Sequence, residues 1–154
     1  MEHYLTLLDK AVKQYWSLPA ISNYKGKSYT YGGMAEGIKK YHLVFSECGI
    51  EKGDKIALYA RNSAEWGIAY YAVVTYDAVV VPFLPDFTPS SVVELSIFSE
   101  CKLMIADNIA YTSIQAGDGL IDALEAFKGF KGILNVEGRE CFASFGEELS
   151  AASA

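Results

Sequence analysis

Apolar positions along this chain change period several times, and each change marks an element. From Tyr4 to Tyr15, Leu5, Leu8, Val12 and Tyr15 recur at helical spacing, and Pro19 ends the segment. Ala20–Tyr24 and Ser28–Tyr31 then flank Lys25-Gly26-Lys27, which predicts a tight antiparallel β-hairpin. Thr30 offers an N-cap to a second helix. Met34, Ile38, Tyr41, Phe45 and Cys48 form its apolar stripe, and Gly49 stands where a C-cap glycine belongs.

The stretch from Gly49 to Pro85 reads as a complete strand, crossover helix and parallel strand. Lys55–Ala60 is a short apolar run after the turn signal Lys52-Gly53-Asp54, and Asn62-Ser63 caps an apolar helix over Ala64–Tyr76. That helix carries Trp66, Ile68, Tyr70, Tyr71, Val73 and Val74 on nearly all sides, so it is expected to be sandwiched. Ala78–Pro82 is β-branched and apolar, which predicts a strand buried on both faces of a parallel sheet. Thr88 and Pro89 open another helix with Val92, Val93, Leu95, Ile97 and Phe98 as its apolar residues. A strand over Lys102–Ala106, a helix over Leu120–Phe127, a strand over Gly132–Val136 and a helix over Phe145–Ala152 follow. The expected fold is α/β: three layers, a mostly parallel sheet flanked by helices, with an N-terminal antiparallel β-hairpin.

Length and composition narrow the class. The 154 residues, 51% hydrophobic, suit one domain with one respectable core. A net charge of -6, with Lys and Arg scattered and no basic run longer than Lys39-Lys40, argues against a nucleic-acid partner. Cys48, Cys101 and Cys141 lack any CxxC pairing, which favours reduced thiols acting as small hydrophobes. The N-terminus has neither a basic leader nor a long apolar run, so no signal peptide is expected, and a cytoplasmic location follows. Ala64–Pro85 is long enough to span a bilayer, yet Asp77 and two prolines interrupt it, and the crossover reading prevails.

Candidate chemistry is sparse. The chain contains no GxGxxG, GxxxxGK[ST], GxSxG or HExxH motif, and its two histidines, His3 and His42, stand apart. No catalytic, cofactor-binding or metal-ligating residue is assigned. Gly32-Gly33 admits two readings, an anion cradle at a helix start or a small-residue approach between helix and sheet, and the second is favoured in the absence of a third glycine. Parallel sheets bind ligands beyond the carboxyl ends of their strands, here Arg61-Asn62-Ser63, Phe83–Phe87 and Asp107-Asn108. Arg61, Asn62 and Asp86 are therefore the crevice candidates. The alternative is that Asn62 and Ser63 cap a helix, Arg61 pairs with an acid and Asp86 shapes a turn.

At these residues a family comes into view. Tyr29-Thr30-Tyr31-Gly32-Gly33-Met34, then Cys48 to Leu58, then Arg61-Asn62-Ser63-Ala64-Glu65-Trp66, then Ala78-Val79-Val80-Val81-Pro82, resembles the AMP-forming adenylating enzymes, most of all the long-chain fatty acid CoA ligases. The resemblance covers roughly the whole chain in order, as one N-terminal subdomain of a larger ligase. It implies an activity of the full enzyme that joins a fatty acid to ATP, with magnesium, and passes the acyl group to coenzyme A (CoA). The phosphate-binding loop and lysine of that chemistry are expected beyond Ala154, so this chain by itself is expected to be inactive and to bind none of these cofactors. Its partners would be the remainder of its own polypeptide, a second copy through exposed apolar surface and, through the lipid substrate, a membrane. Asp77 stands where the family carries a turn glycine, which requires a left-handed aspartate. Two rivals stay open: a stand-alone binding or interaction module, and a fragment of an aryl or amino-acid adenylating enzyme.

Overall fold

The helices begin and end on devices that the local sequence supplies. The computed structural model of the chain describes residues 4–23, 26–137 and 141–145. Helix α1 spans Tyr4–Gln14, strands β1 (Pro19–Ser22) and β2 (Ser28–Thr30) form a two-stranded antiparallel sheet, and α2 spans Tyr31–Glu47. Then come β3 (Lys55–Tyr59), α3 (Ala64–Thr75), β4 (Val79–Phe83), α4 (Pro89–Phe98) and β5 (Cys101–Ala106). Helices α5 (Asn108–Ala116) and α6 (Leu120–Ala126) and strands β6 (Gly132–Asn135) and β7 (Cys141–Ser144) complete the order. The hydroxyls of Thr30, Ser63 and Thr88 accept hydrogen bonds from the N–H groups of Gly33, Trp66 and Ser91 at 3.0, 3.0 and 3.2 Å, which starts α2, α3 and α4.

Two helices stop on the same device. Gly49, at φ 82°, donates to Ser46 O, and Ile50 donates to Phe45 O, which makes a Schellman motif after α2. After α3, Asp77 donates to Val74 O and Ala78 to Val73 O, with Asp77 at φ 67°. The aspartate thus holds the left-handed conformation that the sequence requires of it. Glu100 does the same after α4, at φ 60°.

The main sheet runs β4-β3-β5-β6-β7, parallel except for β7, which is antiparallel to β6. Strand alternation divides the core between its two faces. Ile56, Leu58, Leu103, Ile105 and Leu134 face α2 and α3, whereas Ala57, Tyr59, Met104, Ala106 and Ile133 face α4, α5 and α6. This is the expected three-layer α/β architecture. No residue of α3 is exposed, because the sheet, α2 and the hairpin close around it.

Three expectations change. Strand β4 is an outer strand among the described residues, so Val79 is 45% exposed where burial on both faces was expected. Val79 N–H donates to Asp54 O, so alternation along the parallel pair turns Val80 and Pro82 outward, a position where proline is tolerated. Tyr31 opens α2 and is not part of β2, because Thr30 takes the cap. Phe145, expected to start a helix, extends the β6–β7 ladder by donating to Lys131 O at 3.1 Å. Residues 146–152 of that expected helix, and Tyr24 and Lys25 of the hairpin turn, lie outside the described residues.

Candidate functional site

Topology selects one place along the carboxyl edge of the sheet. From β3 the chain leaves through α3 to β4 on one side, whereas from β5 it leaves through α5 and α6 to β6 on the other. The helices α3 and α5 therefore depart onto opposite faces from the neighbouring strands β3 and β5. Between two such strands the connections part and leave a crevice, the usual ligand position in open α/β sheets.

Arg61 and Asp107 occupy that crevice. The buried Asp107 carboxylate accepts from Ala110 N–H through Oδ1 at 2.7 Å, capping α5, and from Arg61 N–H through Oδ2 at 2.9 Å, joining the two strand ends. The Arg61 side chain is 63% exposed and only its Nε approaches Asp107, at 3.4 Å. A cavity of about 230 Å3 lies on one side of this pair, walled by Tyr59, Pro85, Ile109, Ala110 and Ser113. A second, of about 170 Å3, lies on the other side against Asn62, Ser63, Val136 and Glu137. Tyr59 donates its hydroxyl to Phe87 O at 2.9 Å, and burial, aided by the Asp107 charge, pushes its phenol above the usual range.

The three sequence candidates part company here. Arg61 and Asn62 line the crevice, and the Asn62 side chain makes no hydrogen bond among the described residues. Asp86 lines neither cavity; it is exposed in the turn closed by Phe87 N–H donating to Leu84 O at 3.0 Å. Asp107, which the sequence places at this edge, is not one of the three candidates, and Tyr59 and Ser113 were not singled out. Asp107 carries a signal that points to it, an N-cap aspartate before Ala110 and Ile114 at a spacing of four.

Other candidate chemistry resolves into structure. Gly32 N–H donates to Trp16 O at 2.8 Å and Gly33 N–H is taken by Thr30, so no amide of that pair is left for an anion. A Cβ on Gly32 would fall 2.4 Å from Trp16 Cε2, so the glycine does permit a close approach, but to the indole of the α1–β1 connection and not to the sheet. His42 lies on α2 with Nε2 at 2.9 Å from Ala72 O and 3.0 Å from Thr75 Oγ1; burial pushes its pKa down, against the Ala72 bond. Burial also pushes the Cys101 thiol up to about 11, against the nearby Lys55 charge. At the opposite edge of the sheet a cavity of about 290 Å3 is lined by Lys55, Lys102 and Lys128, but Asp54 and Glu100 share it. The C-terminal ends of α4 and α6 also point there, so the cluster carries little net positive field. Among the described residues no group of three or more His, Cys, Asp or Glu side chains could hold a metal ion. No helix among them is long and apolar enough to cross a membrane.

With the fold and this edge established, known proteins give the class. The chain belongs to the AMP-binding enzyme family, which it matches over residues 8–138. It is 25% identical over 116 residues to surfactin synthase subunit 2 of Bacillus subtilis, covering 75% of this chain and 3% of that protein. It is 26% identical over 110 residues to the long-chain-fatty-acid–CoA ligase of Yersinia pestis, covering 70% of this chain and 19% of the ligase. The chain thus spans a small part of the curated relatives it matches. A benzoate CoA ligase from Burkholderia xenovorans shares the fold at a TM-score of 0.74 and 19% identity, over 99% of this chain and 29% of that one.

Proposed function

We propose that this chain is the N-terminal scaffold of an adenylate-forming ligase that activates a long-chain fatty acid with ATP and transfers it to coenzyme A. The observation that carries the reading is the family match over residues 8–138, on a sheet whose crevice between β3 and β5 stands open beside Arg61 and Asn62. Similarity to the long-chain-fatty-acid–CoA ligase of Yersinia pestis supports the acid and the thiol. The two crevice cavities, about 230 and 170 Å3, fall below the 300 to 1,000 Å3 of ordinary small-molecule pockets. In this reading the chain supplies at most one wall of a nucleotide site, and its own residues take no step through ATP, magnesium or coenzyme A. The remainder of the polypeptide brings the reacting groups, and the chain alone is inactive.

A second reading, activation of an aryl acid, is favoured by the fold shared with the benzoate CoA ligase. Acid-dependent exchange of labelled pyrophosphate into ATP tests both, using the polypeptide that continues past Ala154 and panels of long-chain, aryl and amino acids. The expected result is exchange with long-chain fatty acids and none from the 154 residues alone. Exchange driven only by aryl or amino acids would replace the long-chain reading, and exchange by the isolated chain would overturn its inactivity. A stop codon directly after Ala154 would favour a stand-alone binding module.

A further inference from the structure

We propose that Asn23 is a positioning residue for the crevice: from the hairpin, it fixes the connection of residues 60–63 that carries Arg61 and Asn62. The inference rests on the reading of that edge as one wall of the ligase's site.

The connection from β3 to α3 is tied at both ends, from different directions. At its start, Arg61 N–H donates to Asp107 Oδ2 at 2.9 Å. At its end, Ala64 N–H donates to Asn23 Oδ1 at 2.7 Å, across 41 positions. A helix leaves its first N–H groups without partners inside itself. Ser63 takes that of Trp66, and the N–H of Ala64 falls to the hairpin. Ala64 is 2% exposed, which leaves little room for water to replace Asn23 there. Between the two ties the Asn62 side chain makes no hydrogen bond among the described residues, so the main chain alone sets its place.

Asn23 is suited to this task because it joins the hairpin turn to the helix. Its main-chain N–H donates to Lys27 O and its C=O accepts from Gly26 N–H, both at 2.9 Å, which closes the turn. Its Nδ2 donates to Glu65 Oε1 and Oε2 at 3.1 and 2.8 Å while Oδ1 holds Ala64. The position thus needs an acceptor toward an N–H and a donor toward a carboxylate, which a carboxamide supplies together. An aspartate would keep the acceptor but set a second negative charge against Glu65. Glu65 also accepts from the Tyr29 hydroxyl at 3.4 Å, and the Ile21 tip lies 2.7 Å from where a Cβ on Gly67 would stand. The hairpin and the start of α3 are therefore packed as one body. Among the described residues, none from the hairpin lines either crevice cavity, so Asn23 acts through the connection and touches no ligand there.

Amide hydrogen exchange in the 154-residue chain, read relative to the core amides of β3 and β5, tests the tie. Asn23→Ala should speed exchange of both Ala64 and Arg61 by about fivefold or more, the worth of one lost hydrogen bond. Thr88→Ala, which removes the cap of α4 instead, should leave both unchanged on that relative scale. Asn23→Asp should speed them as well, and Asn23→Asp with Glu65→Gln, which reverses donor and acceptor, should return them to within about twofold of the parent. This pair of variants decides even if Asn23→Ala folds poorly. In the polypeptide that continues past Ala154, Asn23→Ala should raise the KM for ATP or for the acid by about threefold or more, with kcat held within about twofold, and Thr88→Ala should not. An Arg61 amide that exchanges as in the parent, no return in the double variant, or an unchanged KM in an active enzyme would each overturn the proposal. Absence of pyrophosphate exchange in the parent would overturn the adenylating reading instead, and the amides would then decide the role of Asn23 alone.

Discussion

At the scale of single residues, the strongest local effect belongs to an aspartate that acts across a distance in sequence. Asp107→Ala removes the α5 cap and the acceptor for Arg61 N–H, so it should cost about 2 to 3 kcal/mol in urea unfolding. Arg61→Ala, whose side chain is 63% exposed, should cost less than about 1 kcal/mol. Equal losses would mean that the guanidinium, and not the carboxylate, joins β3 to β5. His42 supplies a pH dependence. Its folded pKa lies below the ordinary 6.5, so as pH falls the unfolded chain takes up the proton first. Stability is therefore full above pH 6.5 and declines as pH falls from there toward the folded value. Urea midpoints taken across that window should drop in the parent and stay flat in His42→Gln. Residue-level chemistry was largely legible: Thr30, Ser63 and Thr88 cap, and Asp77 turns left-handed, because each depends on neighbours within one helical turn. The bridge from Asp107 to Arg61 was not, since 46 positions separate them and only the sheet brings them together.

At the scale of elements, the contact between the α1–β1 connection and α2 is open to measurement. A Cβ at position 32 would lie 2.4 Å from Trp16 Cε2, whereas one at position 67 would meet only the flexible tip of Ile21, at 2.7 Å. Gly32→Ala should then cost about 1 to 3 kcal/mol and shift tryptophan fluorescence as the Trp16 indole is displaced. Gly67→Ala should be neutral or gain up to about 1 kcal/mol from helix propensity. A silent Gly32→Ala would mean that the indole is not packed there. Elements with a clear period, such as α2 and the β3–α3–β4 unit, could be read directly from the chain. Helix α5 was missed although Asp107 offers a cap and Ala110 and Ile114 recur at a spacing of four, because Asn, Thr, Ser and Gln break up its short apolar stripe. Strand β7 is short, and its pairing with β6 leaves no periodic trace over Cys141–Ser144. The outer position of β4 was equally hidden, since an apolar run does not say how many neighbours it has.

At the scale of the whole molecule, large apolar side chains remain at the surface, with Phe98 86%, Leu84 65% and Leu95 42% exposed. Phe98 and Leu95 lie three apart on the outer face of α4. We expect the chain to self-associate through such faces, and Leu95→Glu with Phe98→Glu to return it to a monomer in sedimentation velocity. Association unaffected by that pair would assign it to another surface. The form this association takes depends on Pro82. A strand laid along the outer side of β4 would look for a row of amides and find only that of Val80, because the proline ring has none to give. Growth by adding strand to strand is barred on that side. Clusters of this chain should then be small and finite, held side chain to side chain, and should not seed fibres from that edge.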